Sequence, residues 1–307
     1  MDEKNFDLII VGSGPTGYGA AIYAARYRLK TLVLGEINGG MITETNIIEN
    51  YAGTIKASGL ELMGKFKEHV KAAGVTVIHD RVAEAKKTAN GFELNTKTEG
   101  SFNAKTIIFA TGSRHKELNV PGEKELRYKG VNYCATCDAP LFEGKTVAVI
   151  GGSDSAAKEA LLCAEYAKKV YIIYRGDDIR PEPINKERVL ANKKIEIINK
   201  TNVAAIEGKN SVEKLKFDNG KELKVDGVFI DIGHIAENGL ALSLGVKCDD
   251  WGQIMVDGLM QTNVPGIFAA GDIINHKFKQ VIWGTATGSL AAKSAWEYLG
   301  AMAVQKK

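Results

Sequence analysis

Two glycine-rich turns, each set between an apolar strand and an alanine-rich helix, constrain this chain more than any other feature. The first is Gly12-Ser13-Gly14-Pro15-Thr16-Gly17 and the second is Gly151-Gly152-Ser153-Asp154-Ser155-Ala156. Around the first, residues 6–11 read as a strand, 14–28 as a helix and 31–34 as a second strand. That β-α-β frame is what gives a GxGxxG meaning. Its first glycine permits the tight turn, its second lets a pyrophosphate approach the backbone, and its third lets helix pack on strand. The helix N-terminus then faces the anion. Glu36, nineteen residues past Gly17, stands where a ribose-binding acid belongs. Around the second turn, residues 146–150, 155–167 and 169–174 repeat the pattern. A chain that carries this unit twice is expected to be α/β, with two similar nucleotide-fold domains.

Between the turns lies Cys134-Ala135-Thr136-Cys137-Asp138. Two thiols at this spacing can close a small disulfide ring, and a dithiol hands over two electrons by thiolate attack on another disulfide. Asp138 is placed to move a proton on or off the departing thiolate. A zinc site would need two more ligands at suitable spacing. Cys163 falls inside the second helical run and Cys248 in a distant loop, so no metal is expected. His69, His79, His115, His234 and His276 are scattered along the chain. Structural roles are expected for all of them except His234.

The 307 residues are enough for two domains. A net charge of +3 gives no sign of a nucleic-acid or membrane surface. No apolar run approaches the ~18 residues of a membrane span. The N-terminus shows no secretory pattern, and four cysteines are too few for a secreted disulfide framework. A cytoplasmic protein is expected.

The remaining segments have simpler readings. Residues 39–43 and 48–53 are loops, and 60–73 is an amphipathic helix with Leu62, Phe66 and Val70 on one face. Strands at 75–78, 82–86 and 92–95 suggest a meander, and 106–109 a strand running into Ala110-Thr111-Gly112. Residues 114–129, charged and interrupted by Pro121-Gly122, read as a linker. Further strands are expected at 195–198, 203–206, 212–217, 223–225 and 228–233, with a hairpin turn at Asp218-Asn219-Gly220. A last helix over 284–299 is expected to end at Gly300.

The GxGxxG, the Asn50 loop, Ala110-Thr111-Gly112, Cys134-Ala135-Thr136-Cys137-Asp138, Ile232-Gly233-His234 and Ala270-Gly271-Asp272 share an order and spacing with one family. In these motifs, and over essentially its whole length, the chain resembles the low-molecular-weight thioredoxin reductases. The resemblance implies two Rossmann-like, three-layer ββα domains, the second inserted into the first. FAD would occupy a discontinuous domain of residues 1–115 and 246–307. Residues 116–245 would carry the cysteine pair and rotate to expose it. A homodimer and thioredoxin as electron acceptor are also implied. By the same resemblance Cys137 faces the flavin and Cys134 attacks the substrate disulfide. The FAD contacts would come from Gly12, Ser13, Gly14, Pro15, Thr16, Gly17 and Glu36, then from Gly40, Asn50, Ala110, Thr111 and Gly112. Gly271, Asp272, Lys279, Gln280, Val281 and Trp283 would complete them.

The departures from the family cluster at the second turn. NADPH-binding members carry Gly-x-Gly-x-x-Ala there, and Ser153 replaces the glycine that allows close pyrophosphate approach. After the next strand those members carry His-Arg-Arg and a further Arg, which hold the 2′-phosphate. Here the run is Tyr174-Arg175-Gly176-Asp177-Asp178-Ile179-Arg180. Losing one phosphate contact and adding acids argues against NADPH. Trp283 puts a large aromatic where the family has a small residue. It reads either as packing or as a ring covering the flavin face. Met41 and Ala139-Pro140 are lesser departures. The pattern resembles the branch that keeps FAD and the cysteines, dispenses with pyridine nucleotide and takes electrons from reduced ferredoxin. An NADPH enzyme with a degenerate site, an oxygen-linked dithiol oxidase and a redox sensor without turnover are the competing readings.

Overall fold

Both glycine turns leave the ends of parallel strands, and each of two units of the chain is built outward from one of them. A computed structural model describes residues 4–305. Unit one is Met1–Arg114 with Ile235–Lys307, and unit two is the intervening His115–His234.

Unit one opens with β1 (Asn5–Val11), α1 (Pro15–Arg26), β2 (Thr31–Leu34), α2 (Gly59–Ala72) and β3 (Thr76–Ile78). The three strands are parallel. Leu8–Val11 and all of β2 are buried, as a parallel sheet covered on both faces requires. Pro15 suits the first position of α1 because its missing N–H would have no partner there. A capping box starts α2: Ser58 Oγ accepts the Glu61 N–H at 3.2 Å, and the Glu61 carboxylate accepts the Ser58 N–H at 2.7 Å. Leu62, Phe66 and Val70 form its buried face, as the periodicity predicts.

An antiparallel meander follows: β4 (Val82–Thr88), β5 (Gly91–Thr96) and β6 (Ser101–Phe109). Residues 75–78 do not belong to it. Val77 packs on the core and β3 pairs with β2, so that segment extends the parallel sheet. β6 is a hybrid strand. One edge runs parallel to β1, while residues 101–104 of the strand pair antiparallel with β5.

The chain leaves unit one along β7 (Ser113–His115). Unit two contains β8 (Val131–Asn132), α3 (Ala135–Asp138), β9 (Thr146–Ile150), α4 (Asp154–Tyr166) and β10 (Lys169–Ile173). Next come α5 (Pro183–Ala191), β11 (Ile195–Ile198), β12 (Val203–Glu207), β13 (Lys214–Phe217), β14 (Glu222–Lys224) and β15 (Gly227–Ile230). β16 (His234–Ala236) then carries the chain back to α6 (Gly239–Ser243), β17 (Ile267–Ala269) and α7 (Val281–Gln305). β17 pairs parallel with residues 107–109 of β6. The two parallel sheets therefore repeat one order, β3-β2-β1-β6-β17 and β11-β10-β9-β15-β8. A three-stranded antiparallel sheet, β12-β13-β14, stands beside the second, its hairpin at Asp218-Asn219-Gly220 as expected.

Three further local expectations change, and one helix appears that none foresaw. The return crossing falls at 234/235 rather than 245/246, because Ala241, Leu244 and Val246 are buried in the core of unit one. Residues 114–129 are not a free linker: buried Glu123 takes the Leu118 and Asn119 amides, and Leu126 joins a core cluster of unit two. Helix α5 goes unread in the sequence because prolines surround its start, although Pro183 itself lies in its first turn. α7 runs through Gly300, which is exposed and followed by the helix-forming Ala301, Met302 and Ala303.

Candidate active site: two glycine turns and a disulfide

The first turn is a close backbone assembly. Gly12 has φ +122°, and a Cβ there would sit 2.1 Å from the Ala110 carbonyl oxygen. A Cβ on Gly17 would lie 1.8 Å from the Gly12 oxygen. Gly14 is different. Its Cβ would approach only Gly39 O and Gly40 Cα, at 3.8 Å, so its side of the turn is open. Gly35 lets Ser13 settle against the end of β2, and Ser13 Oγ donates to Ile37 O at 2.8 Å. The C-terminal segment closes on the same place. A Cβ on Gly271 or Gly284 would fall 2.2 Å or 2.5 Å from Thr16 Oγ1, and one on Gly288 2.2 Å from Thr16 O. Gly271 N–H is held by Thr287 Oγ1 at 3.1 Å. An open glycine at a helix N-terminus, with main-chain amides as donors, fits the diphosphate of FAD.

The other expected cofactor residues fall on unit one, in distinct settings. Asn50 Nδ2 donates to Gln280 Oε1 at 3.1 Å, joining two loops far apart in sequence. Gly40 has φ +70° and faces Gly14. Glu36 lies just past β2, exposed, with Arg81 at 3.5 Å and Lys97 at 3.7 Å. Thr111 Oγ1 donates to Glu237 O at 2.8 Å, and Gly112 has φ +64°. Lys279 ties its own loop: Nζ donates to Asp272 O at 2.8 Å and Ile274 O at 2.6 Å. Burial holds that ammonium below its usual range. Val281 opens α7. Trp283 stacks on His276, centroids 3.9 Å apart and planes 18° from parallel, beside Met260 and Leu290. One face of the indole is thus occupied by an imidazole, which favours its packing reading over a cover for the flavin.

The second turn keeps the backbone of the first. Gly151 has φ +154°, and a Cβ there would sit 2.1 Å from the Asp231 carbonyl oxygen. Ser153 caps α4 at φ −86°, ψ −179°, close to the −82° and −172° of Gly14. The side chains differ. The Tyr174 ring fills the space beside the turn, where a Cβ on Gly152 would lie 2.3 Å from its Cδ2 and one on Gly176 2.6 Å from its Cε1. Arg180 stands 6.0 Å above the ring, and its N–H donates to Gly152 O at 2.7 Å. Asp177 pairs with Lys200 at 3.0 Å, and Asp178 with Lys186.

Cys134 and Cys137 are disulfide-bonded at the start of α3. Cys134 Sγ accepts the Cys137 N–H at 3.1 Å, a contact that would stabilise a thiolate at Cys134. Exposure runs the other way: Cys134 is 9 % exposed, and Cys137 is the more open residue. Burial pushes the Asp138 carboxyl above the usual carboxylate range, which suits a proton carrier beside thiols. Cys163 is buried, its thiol pushed up by burial and by Glu159, and both it and Cys248 are free cysteines. Among the described residues no cluster of three His, Cys, Asp or Glu could hold a metal.

Sequence reasoning missed Gly35, Gly284 and Gly288. The four-residue spacing of the last two, among the small residues that open α7, is the available sign of a close approach.

Known proteins echo this arrangement. The family model for pyridine nucleotide-disulphide oxidoreductases matches residues 6–288. A thioredoxin reductase of Peptoclostridium litorale is 37% identical over 310 residues, spanning 97% of this chain and 98% of that one. The crystal structure of Lactococcus lactis thioredoxin reductase superposes with a TM-score of 0.92 at 34% identity, covering 96% and 99% of the two chains. A ferredoxin-flavin thioredoxin reductase from Clostridium acetobutylicum matches at 34% identity with a TM-score of 0.54, covering 97% and 99%.

Proposed function

The chain belongs to the pyridine nucleotide-disulphide oxidoreductases and, within them, to the low-molecular-weight thioredoxin reductases; from that premise we propose that its electrons come from reduced ferredoxin rather than from NADPH. The observation that carries the donor is Ser153 in place of the glycine that admits a pyrophosphate, with the Tyr174 ring lying across Gly152 and Gly176 beside it. The cations left beside it, Arg175 and Arg180, share the segment with two acids.

Bound FAD accepts and returns an electron pair, taken up in one or two steps. The residues of the chain do the rest. The first turn and the N-terminus of α1 hold the diphosphate, and Asn50 with Gln280 fixes the loops around it. Two electrons and two protons open the Cys134–Cys137 bond to a dithiol. Its thiolate attacks the thioredoxin disulfide, a mixed disulfide forms, and the second enzyme sulfur resolves it, restoring the enzyme disulfide and releasing dithiol thioredoxin. The hydrogen bond from Cys137 N–H supports Cys134 as attacking sulfur. Asp138 holds the proton delivered to the leaving thiolate. We assign a homodimer and a cytoplasmic location to the protein on kinship. Among the described residues no helix is long and apolar enough to cross a membrane.

The test is anaerobic mixing of oxidised enzyme with NADPH, NADH or reduced ferredoxin while flavin absorbance is followed. Bleaching by ferredoxin alone is expected. Rapid bleaching by micromolar NADPH would overturn the donor assignment. In the same assay Cys134→Ser should leave flavin reduction intact and abolish thioredoxin reduction. A stable mixed disulfide of thioredoxin with Cys137→Ser, and none with Cys134→Ser, is expected; the reverse would exchange the two roles.

A further inference from the structure

Unit two begins at His115 and ends at His234, and these two residues face each other. Their ring centroids lie 5.1 Å apart. Beside them Lys116 N–H donates to Gly233 O at 2.9 Å. Three residues before His234, at the end of the apolar β15, stands Asp231. It is 4 % exposed, and neither carboxylate oxygen has a partner in hydrogen-bond geometry. The two imidazoles and the Gly233 amide are the polar groups that act on it.

We propose that His115, His234 and Asp231 form a proton-dependent clasp that holds unit two closed where the chain passes into and out of it. A buried carboxylate with no well-formed hydrogen bond is costly unless charge or a proton compensates it. Among the described residues no cluster could hold a metal, and the carboxyl is compensated by a proton of its own. The nearby charges are already engaged. His115 also packs on Tyr133, centroids 5.9 Å apart, and the Tyr133 hydroxyl donates to Glu123 Oε1 at 2.6 Å. Arg127 lies 5.0 Å over Tyr133 and pairs with Glu117 at 3.6 Å. On the unit-one side of the crossing Arg114 pairs with Glu237 at 2.9 Å. At the second turn Gly151 packs on the Asp231 carbonyl, and Asp154 is taken by Glu182 N–H, Asn185 and Lys158.

The direction follows from burial, which raises the Asp231 carboxyl above its ordinary range against the opposing pull of the two imidazoles. A group raised in the folded state contributes its full stability below its unfolded value and loses it as pH rises through the folded value. The clasp is therefore tight in acid and loosens upward from the ordinary carboxylate range. With the proton gone, a bare carboxylate remains at the end of an apolar strand, and the paired backbone beside it opens more often.

Hydrogen exchange of the Lys116 amide in the full-length holoenzyme reads this directly, after correction for intrinsic chemical exchange. Protection in the wild type should fall about tenfold between about pH 4.5 and about pH 8.5. Asp231→Asn, isosteric and uncharged, should be flat over that range. The double variant His115→Asn, His234→Asn, which removes the pull that opposes burial, should lose protection only at higher pH than the wild type, with β9 amides still protected to show that unit two is folded. A wild-type pH dependence retained in Asp231→Asn overturns the clasp, as does wild-type protection at Lys116 that ignores pH.

Discussion

The two glycine turns have the same backbone and opposite fillings. Gly12 and Gly151 each press a bare Cα onto the carbonyl of a neighbouring strand end, Ala110 in one unit and Asp231 in the other, and each would place a Cβ 2.1 Å from it. Gly14 and Ser153 share φ and ψ to within a few degrees. The residue after the next strand then separates them. In unit one it is Gly35, whose bare side is filled by Ser13. In unit two it is Tyr174, whose ring lies on Gly152. A fold motif and a binding site are thus separable properties. The backbone of the second turn is kept by packing within unit two, while the position that is an open glycine in the first turn carries the side chain of Ser153.

The largest effect should come from the point where the turns are least forgiving. Gly17→Val drives a branched side chain into the Gly12 carbonyl and should cost about 3 kcal/mol or more, with loss of bound flavin visible in the absorption spectrum. The matching change at the second turn, Ala156→Gly, should cost about 1 kcal/mol and leave the flavin in place. Equal losses would mean the turns are not specialised as described. A middle-sized effect is expected from restoring the second turn. Ser153→Gly, Tyr174→His and Gly176→Arg together should speed flavin bleaching by NADPH by about tenfold or more, the scale of one or two charged hydrogen bonds. Tyr174→Ala alone should gain little. If it gains as much as the triple variant, the second site was only plugged and its phosphate contacts are intact. The smallest effect belongs to Asp138. Its raised carboxyl keeps a proton above the ordinary range, so the dithiol step should slow as pH rises through that value. Asp138→Asn should be a few-fold slower and lose this limb in stopped-flow traces. An unchanged pH profile would take the proton role away from it.

The parts of the molecule that sequence made legible are those with a period or a fixed spacing. The duplicated β-α-β frame, the apolar strands 8–11 and 146–150 and the face of α2 follow from local pattern. Cys134, Cys137 and Asp138 were identifiable for the same reason. What sequence did not disclose depends on partners remote along the chain. Residues 75–78 look like the neighbouring meander strands until β2 is beside them. Tyr174 is an ordinary strand-end aromatic until Gly152 and Gly176 are seen beneath it. Asp231 carried the clearest overlooked sign, a lone acid in the run Val228-Phe229-Ile230-Asp231-Ile232, since buried acids rarely stand without a purpose. Gly300 misled because a glycine stops a helix only when the residues after it have somewhere else to go.

Thr16 is gripped by Gly271, Gly284 and Gly288, residues that a ribosome adds long after it has finished the first turn. Unit two, by contrast, is one uninterrupted stretch, His115–His234. During synthesis the inserted unit can therefore fold to completion while the first remains an unfinished half-sheet waiting for α7. Its flavin can be captured only once α7 has emerged and docked, so cofactor loading waits for that helix, and a nascent chain stalled before residue 271 would carry a finished disulfide unit with nothing to reduce it.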